Sequence, residues 1–288
     1  MTQALFGQLL LGLINGSFYA LLSLGLAIIF GLLNVVNFAH GAQYMIGAFA
    51  AWMAMSYLGI GYWWALLLAP AAVGVLGLAV ERLMLRRLQG LDNLYGLLLT
   101  FGLTLIAEGL FHHAYGNSGY SYPVPEALRG GVNLGFMYLP IYRGWVVVVS
   151  IFVCTMAWFV VERTKLGAYL RAGTENPRLL QAFGVNVPLM STLTYGFGAA
   201  LAAFAGVMAA PVYQVTPLMG SSLVIVVFAV VVIGGMGSIA GSILTGLGVG
   251  LVEGLTKFVY PEASSVVVFV LMAVVLLVRP AGLFGRTR

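Results

Sequence analysis

Charge is what this chain has least of. Of its 288 residues only 7% are Asp, Glu, Lys or Arg, and nothing ionised precedes Glu81. A soluble domain carries about a quarter charged residues, and without them a body of this size cannot cover its surface with polar groups. A soluble enzyme, a disordered chain and a nucleic-acid binder are excluded together. Residues 1–3 lack the basic start of a cleaved signal peptide, so the first apolar run is expected to stay as a membrane segment. Cysteine is nearly absent as well. Cys154 is alone, so no internal disulfide can form, and it reads as a small buried hydrophobe. No polar stretch is long enough to fold as a separate domain.

What remains is apolar, with 61% hydrophobic residues and a mean hydropathy of +1.04. A spanning helix needs roughly 20 such residues. The expected fold is an all-α, polytopic transmembrane bundle of about 8–9 segments, forming one membrane domain over 1–288. Full spans are predicted at 4–33, 62–85, 94–115, 144–162, 188–213, 242–258 and 263–279. Two further segments are short. Residues 42–57, after the polar patch Asn34, Asn37 and His40, would make a helix of ~24 Å. Residues 221–233, closed by Gly234-Gly235, would make one of ~20 Å.

Basic residues orient the bundle. Of the thirteen, all but Arg129, Arg143 and Lys257 lie in three clusters: Arg82, Arg86 and Arg87; Arg163, Lys165, Arg171 and Arg178; and Arg279, Arg286 and Arg288. With nine segments these clusters share one side, which is cytoplasmic by the positive-inside rule. The N-terminus is then outside and the C-terminus inside. Residues 116–143 form an outer loop. The inner loop 163–187 alternates apolar and charged residues, and Pro177 sits where a helix can begin. Two short amphipathic helices are expected there, the second ending at Gly184. The alternative is a helix lying in the headgroups, a reading that the mixed charges weaken, because surface-seeking helices carry a basic polar face.

Glycine is abundant, at 38 residues. Gly12 and Gly16, Gly237 and Gly241, and Gly246, Gly250 and Gly254 sit four apart, the spacing that clears a helix face for a neighbouring backbone. The run Gly234-Gly235-Met236-Gly237-Ser238 would interrupt a helix at membrane depth, where the freed backbone groups must face protein or water. Asn34 to Gly41 is its counterpart in the first half. Interrupted segments in matching positions of two halves point to a transporter's central site. Candidate pathway residues are therefore Asn34, Asn37, His40, Gly41, Gly234, Gly235, Gly237 and Ser238, with Thr100 and Thr104 sharing one face of the fourth segment. Each threonine either lines a polar path or bonds to a carbonyl one turn back. His40 either binds a solute, proton or metal, or satisfies buried carbonyls. Glu108 and Glu253 are the acids nearest hydrocarbon, and Glu253 has Lys257 at pairing distance along the helix.

Several of these residues resemble one family. Gly16-Ser17-Phe18-Tyr19-Ala20-Leu21 with Asn37-Phe38-Ala39-His40-Gly41 resembles the opening of branched-chain amino acid ABC permeases of the LivH/LivM type. Thr100-Phe101-Gly102-Leu103-Thr104 is similar to the family's fourth-segment signature, and residues 234–238 with Gly241 to its late glycine motif. The stretch from Gly167 through Arg171, Ala172, Glu175 and Asn176 to Gly184 resembles its cytoplasmic coupling segment. The order holds from about residue 10 to 255, closer to LivH than to LivM. The chain departs at Ser242, where many relatives have proline. The resemblance implies half of an import channel for branched-chain or other hydrophobic amino acids, with urea, amides and aromatic acids as further substrates of the class. It implies a second LivM-like permease subunit, two cytoplasmic P-loop ATPase subunits and a periplasmic or extracellular solute-binding protein, in a bacterial or archaeal cell membrane. No cofactor or metal is implied.

The residues agree that energy comes from elsewhere. A P-loop needs Gly-Lys-Ser/Thr, yet Lys165 and Lys257 each follow threonine. An ion- or proton-coupled transporter of a small neutral or zwitterionic solute, using Glu108 or Glu253, is the competing reading. A passive channel is a third. An intramembrane hydrolase is disfavoured, because all three histidines precede residue 114, leaving no later histidine to partner a serine, and His-Glu-x-x-His is missing.

Overall fold

A computed structural model describes residues 2–33, 35–88 and 90–285, without the side chain of Thr174. Asn34, Arg286 and Arg288 lie outside the described residues. Eleven α-helices occur among those described: α1 (Thr2–Leu33), α2 (Ala39–Leu58), α3 (Tyr62–Leu83), α4 (Asn93–Tyr115), α5 (Ile141–Arg163), α6 (Lys165–Glu175), α7 (Pro177–Ala182), α8 (Val187–Ala209), α9 (Met219–Gly234), α10 (Ile239–Val259) and α11 (Val267–Val278). Six helical stretches are long and apolar enough to cross a membrane: α1, α3 with its trailing 3-10 turn, α4, α5, α8 and α10.

The elements divide into two compact units. One holds residues 1–24, 123–157 and 225–288, and the other residues 25–122 and 158–224. In the first, α1 and α10 are packed by glycine. A Cβ on Gly16 would lie 3.0 Å from the Leu247 carbonyl, one on Gly246 2.5 Å from the Ala20 nitrogen, and one on Gly12 against the Gly250 carbonyl. The four-residue spacing is the reason: it strips one face of α10 of side chains. Gly237 does not belong to this pattern. It lies between helices with φ +84°. The 116–143 loop adds a small antiparallel ribbon, β1 (Gly131–Asn133) with β2 (Tyr138–Pro140), Val132 opposite Leu139. Asn133 Oδ1 accepts from the Gly135 amide at 2.9 Å to close its turn.

In the second unit α3 and α8 run side by side. A Cβ on Gly77 would come within 2.7 Å of Ala199 Cβ, and one on Gly196 would collide with Leu78. α2 crosses α8 where Gly47 faces the Ala203 backbone and Gly206 faces the Tyr44 carbonyl. Val73, Ala199 and Ala203 form one buried cluster, and Ile29, Leu85 and Tyr195 another. By contrast α4 turns Leu98, Phe101, Leu105 and Ile106 outward. Exposed apolar side chains on a helix of spanning length mark a lipid-facing surface.

Several boundaries differ from expectation. The segment expected over 263–279 as a full span is the 12-residue α11, ~18 Å long, because residues 261–263 form a 3-10 turn and the chain turns again before Val267. The segment expected over 42–57 starts earlier, at Ala39, and reaches 20 residues, ~30 Å. The α9 helix has 16 residues, about one turn more than read from its apolar core.

Candidate functional site

Where α2 begins is the first feature of note. α1 ends at Leu33, and the linker turns back along α4: Val35 packs on Gly96, the Phe38 amide donates to Thr100 Oγ1 at 3.2 Å, and the Thr100 hydroxyl faces the Leu97 carbonyl at 3.0 Å and the Val36 carbonyl at 3.3 Å. Thr104 donates to the Thr100 carbonyl at 2.9 Å. Both threonines therefore bond to carbonyls one turn back, and Thr100 also ties the linker to α4. α2 starts beside the middle of its neighbours. A Cβ on Gly25 would come within 2.9 Å of the His40 ring and 3.0 Å of the Gly198 carbonyl, and Gly198 is the central residue of α8.

The start of α9 meets the start of α2. A Cβ on Gly41 would lie 2.7 Å from the Gly220 carbonyl oxygen and 3.0 Å from Val224 Cβ. Next to Gly220, Ser221 donates to the Glu108 carboxylate of α4, which sets a negative group at that helix start. The segment that faces Gly41 is thus the start of α9 at Gly220. Both α2 and α9 begin partway along the longer helices, the arrangement of discontinuous helices.

Around the α2 start a polar cluster is buried. Gln43 Nε2 donates to Tyr195 Oη at 3.2 Å, and Tyr195 donates to Asn37 Oδ1 at 3.3 Å. Asn37 Nδ2 and Gln43 Oε1 are buried with no hydrogen-bond partner among the described residues. A cavity of about 130 Å³ adjoins the cluster, lined by Ile29, Leu33, Asn37, Leu85, Leu88 and Tyr195 among others. The structure thus gathers Asn37, His40, Gly41, Thr100 and Thr104 in one unit. Gln43 and Tyr195 belong with them. No sequence spacing distinguishes Tyr195, since its partners are 152 and 158 residues away.

Gly234, Gly235, Gly237 and Ser238 lie in the other unit and form a joint. α9 stops at Gly234, Gly235 adopts φ +100°, and Ser238 Oγ caps α10 by accepting from the Gly241 amide at 3.1 Å. The end of α9 is capped by the C-terminal stretch. Leu283 donates its amide to the Ile233 carbonyl at 2.8 Å and Phe284 to Gly234 at 3.1 Å. The freed backbone groups face protein. The Ser242 amide bonds to the Ser238 carbonyl at 2.9 Å, a bond that proline at this position would remove. Glu253 is held by Lys257 at 2.5 Å and by Tyr19 Oη at 2.7 Å.

The 163–187 loop forms the two expected helices, α6 and α7. Pro177 opens α7, and Gly184 follows it with φ +82°. Asn176 joins them: its amide bonds to the Ala172 carbonyl at 3.0 Å while its Oδ1 accepts from the Leu179 amide at 3.0 Å. Gly167 packs on the Val161 carbonyl so closely that a Cβ would collide. Arg171 pairs with Glu162 of α5 at 3.1 Å. Leu166, Leu179 and Phe183 are exposed, Phe183 by 78%, and Ala172, Glu175 and Arg178 are exposed with them.

A fourth cluster was not foreseen. Glu81, near the end of α3, is 0% exposed. Thr192 of α8 lies 2.5 Å from its Oε2, and the Arg86 guanidinium reaches Thr192 Oγ1 at 2.6 Å, the Pro188 carbonyl at 2.7 Å and Glu81 at 3.6 Å. A buried carboxylate is tolerated only when paired and hydrogen-bonded. In the 116–143 loop, burial raises the Tyr122 phenol above its ordinary pKa.

Two helices that start partway along their neighbours, and an amphipathic pair between α5 and α8, are features of a multi-pass membrane transport subunit. The chain belongs to the family described as branched-chain amino acid transport system, permease component, which matches residues 8–276. It is similar to the high-affinity branched-chain amino acid transport system permease protein BraD of Pseudomonas aeruginosa, at 32% identity over 97% of this chain and 95% of the relative. It is 30% identical to the corresponding LivH of Escherichia coli K12, over 97% and 95% of the two chains. Similarity to LivM of the same organism is 29% over 94% of this chain and 68% of that longer protein. The family is a transport permease rather than an enzyme.

Proposed function

We propose that this chain is one permease subunit of an ATP-driven, binding-protein-fed importer for branched-chain or other hydrophobic amino acids. It acts as a single permease over 1–288, with nine segments if α2, α9 and α11 are counted with the six long ones, its N-terminus outside and its C-terminus in the cytoplasm. Arg86 supports that orientation, because its contact with Pro188 sets the 82–87 basic cluster at the same end of its unit as the α7–α8 join. The partners are a second LivM-like permease, two cytoplasmic P-loop ATPases and an external solute-binding protein. Asn34, Asn37, His40, Gly41, Thr100 and Thr104 border the pathway, and residues 234–238 form the joint on which α9 and α10 turn.

The observation that carries this reading is the α6–α7 pair. It exposes Leu166, Leu179 and Phe183 beside Glu175 and Arg178, a surface suited to a protein groove with a polar rim. ATPase closure would pull this pair through contacts made by Arg171, Ala172 and Glu175, with Gly167, Asn176 and Gly184 setting its shape. Ion coupling finds less support, since Lys257 already neutralises Glu253.

Purification of the tagged chain from its native membrane in nanodiscs, with mass spectrometry of what accompanies it, tests the assembly. A second permease and two P-loop ATPases are expected. Arg171→Glu with Glu175→Arg should abolish ATPase recovery while thermal stability changes by less than about 1 kcal/mol, because the Arg171–Glu162 pair is solvent-exposed. Recovery of the native chain alone, or undiminished ATPase recovery with the variant, would sink the docking role.

A further inference from the structure

Between the surface pair α6–α7 and the buried cluster at the α2 start lies a continuous set of contacts within one unit. Asn176 locks α6 to α7. The turn from α7 to α8 is also held: Val185 donates to the Leu180 carbonyl at 3.3 Å, and Asn186 Oδ1 accepts from the Leu189 amide at 3.0 Å. A Cβ on Gly173 of α6 would lie 2.9 Å from Met190 of α8. Displacement of α6–α7 is thereby delivered to the first turn of α8 rather than absorbed in a slack loop.

At that turn sits the Glu81–Arg86–Thr192 cluster. Thr192 has one hydroxyl proton. With Arg86 donating to its oxygen, that proton has two acceptors, the Glu81 carboxylate at 2.5 Å and the Pro188 carbonyl one turn back at 3.0 Å, of which Glu81 is the nearer, and Arg86 uses its same terminal nitrogen to hold the Pro188 carbonyl. Charge-assisted bonds of this length are the strong ones. An apolar set of the same volume would hold two helices together as well or better, so stability alone does not explain a carboxylate that is 0% exposed. What the charged set adds is direction: its bonds fix where the first turn of α8 stands along α3. One turn further on, Tyr195 bonds to Asn37 and Gln43 at the α2 start.

We propose that Glu81, Arg86 and Thr192 are positioning residues for transport: they clamp the first turn of α8 to α3, so that movement of α6–α7 displaces the α3–α8 pair and, through Tyr195, the start of α2. The proposal rests on the ATP-driven reading above. Without the clamp, α8 slips against α3 and the ATPases turn over without moving the pathway.

The test uses the complete importer in proteoliposomes, with ATP hydrolysis and uptake of radiolabelled leucine from its binding protein measured on the same vesicles. Thr192→Val keeps the shape and removes the hydroxyl. ATP consumed per leucine should rise about tenfold, the scale of a coupling lost between sites, and Thr192→Ser should restore it. The double variant Glu81→Gln, Arg86→Gln keeps an amide pair without charge. It should uncouple in the same way, and it stands in for Thr192→Val if that variant folds poorly. Hydrolysis and uptake falling by equal factors, or an unchanged ratio, would overturn the clamp. Absence of ATP-dependent uptake in the unaltered importer would instead overturn the reading beneath it.

Discussion

A methyl group at Gly250 would collide with the Gly12 carbonyl and lie 2.5 Å from the Gly16 nitrogen, whereas one at Gly248 meets nothing within 4 Å. Both glycines are interior to α10, so their helix propensities are equal and only the neighbour differs. Gly250→Ala should lower stability by about 1–3 kcal/mol, the usual effect of overpacking. Gly248→Ala should be neutral or raise it by up to about 1 kcal/mol. Thermal unfolding of the two variants in the same detergent checks the pair, and equal effects would refute glycine packing of α1 on α10. The four-residue spacing made this face legible in the sequence. Tyr195 was not legible, because a tyrosine in an apolar helix has no periodic signature and its partners are remote in the chain. The burial of Glu81 was hidden for the same reason: it depends on Thr192, 111 residues away.

At the scale of elements, breaks were easier to read than lengths. Residues 234–238 interrupt the helix as their glycines require, and Ser238 caps the next one. Ser238→Ala should destabilise by about 1 kcal/mol, the value of a serine N-cap. Gly235→Ala should cost more, because φ there is +100° and the added carbon would lie 2.5 Å from the Gly285 nitrogen. Thermal unfolding ranks the two, and a harmless Gly235→Ala would refute the packing of residues 281–285 on the joint. The starts of α2 and α11 were misread for a physical reason. His40 looks like a loop residue by polarity, but a tertiary bond from the Phe38 amide to Thr100 steadies the turn and α2 starts at Ala39. Residues 263–266 look apolar enough for a span, but the 3-10 turn at 261–263 shortens it. The α6–α7 pair was legible because Pro177, Asn176 and Gly184 carry their own start and stop chemistry.

For the whole molecule, orientation is the property the basic residues argue most directly, and the lone cysteine makes it measurable. Cys154 is 1% exposed, so Cys154→Ala leaves a background without reactive thiols at the surface. Single cysteines then replace Arg178 on exposed α7 and Val132 in the β1–β2 ribbon, itself 52% exposed. A membrane-impermeant maleimide added to spheroplasts should label position 132 directly and position 178 only after permeabilisation. Inverted vesicles should show the opposite order. The clusters at 82–87 and 163–178 are separated by α4 and α5, an even number of crossings, so the positive-inside rule and the count of segments constrain each other. Labelling of position 178 in intact spheroplasts would invert the orientation and remove the ATPases from the face that carries α6–α7. Labelling of both positions from one side would mean that α5 does not cross, and the nine-segment arrangement would fail with it.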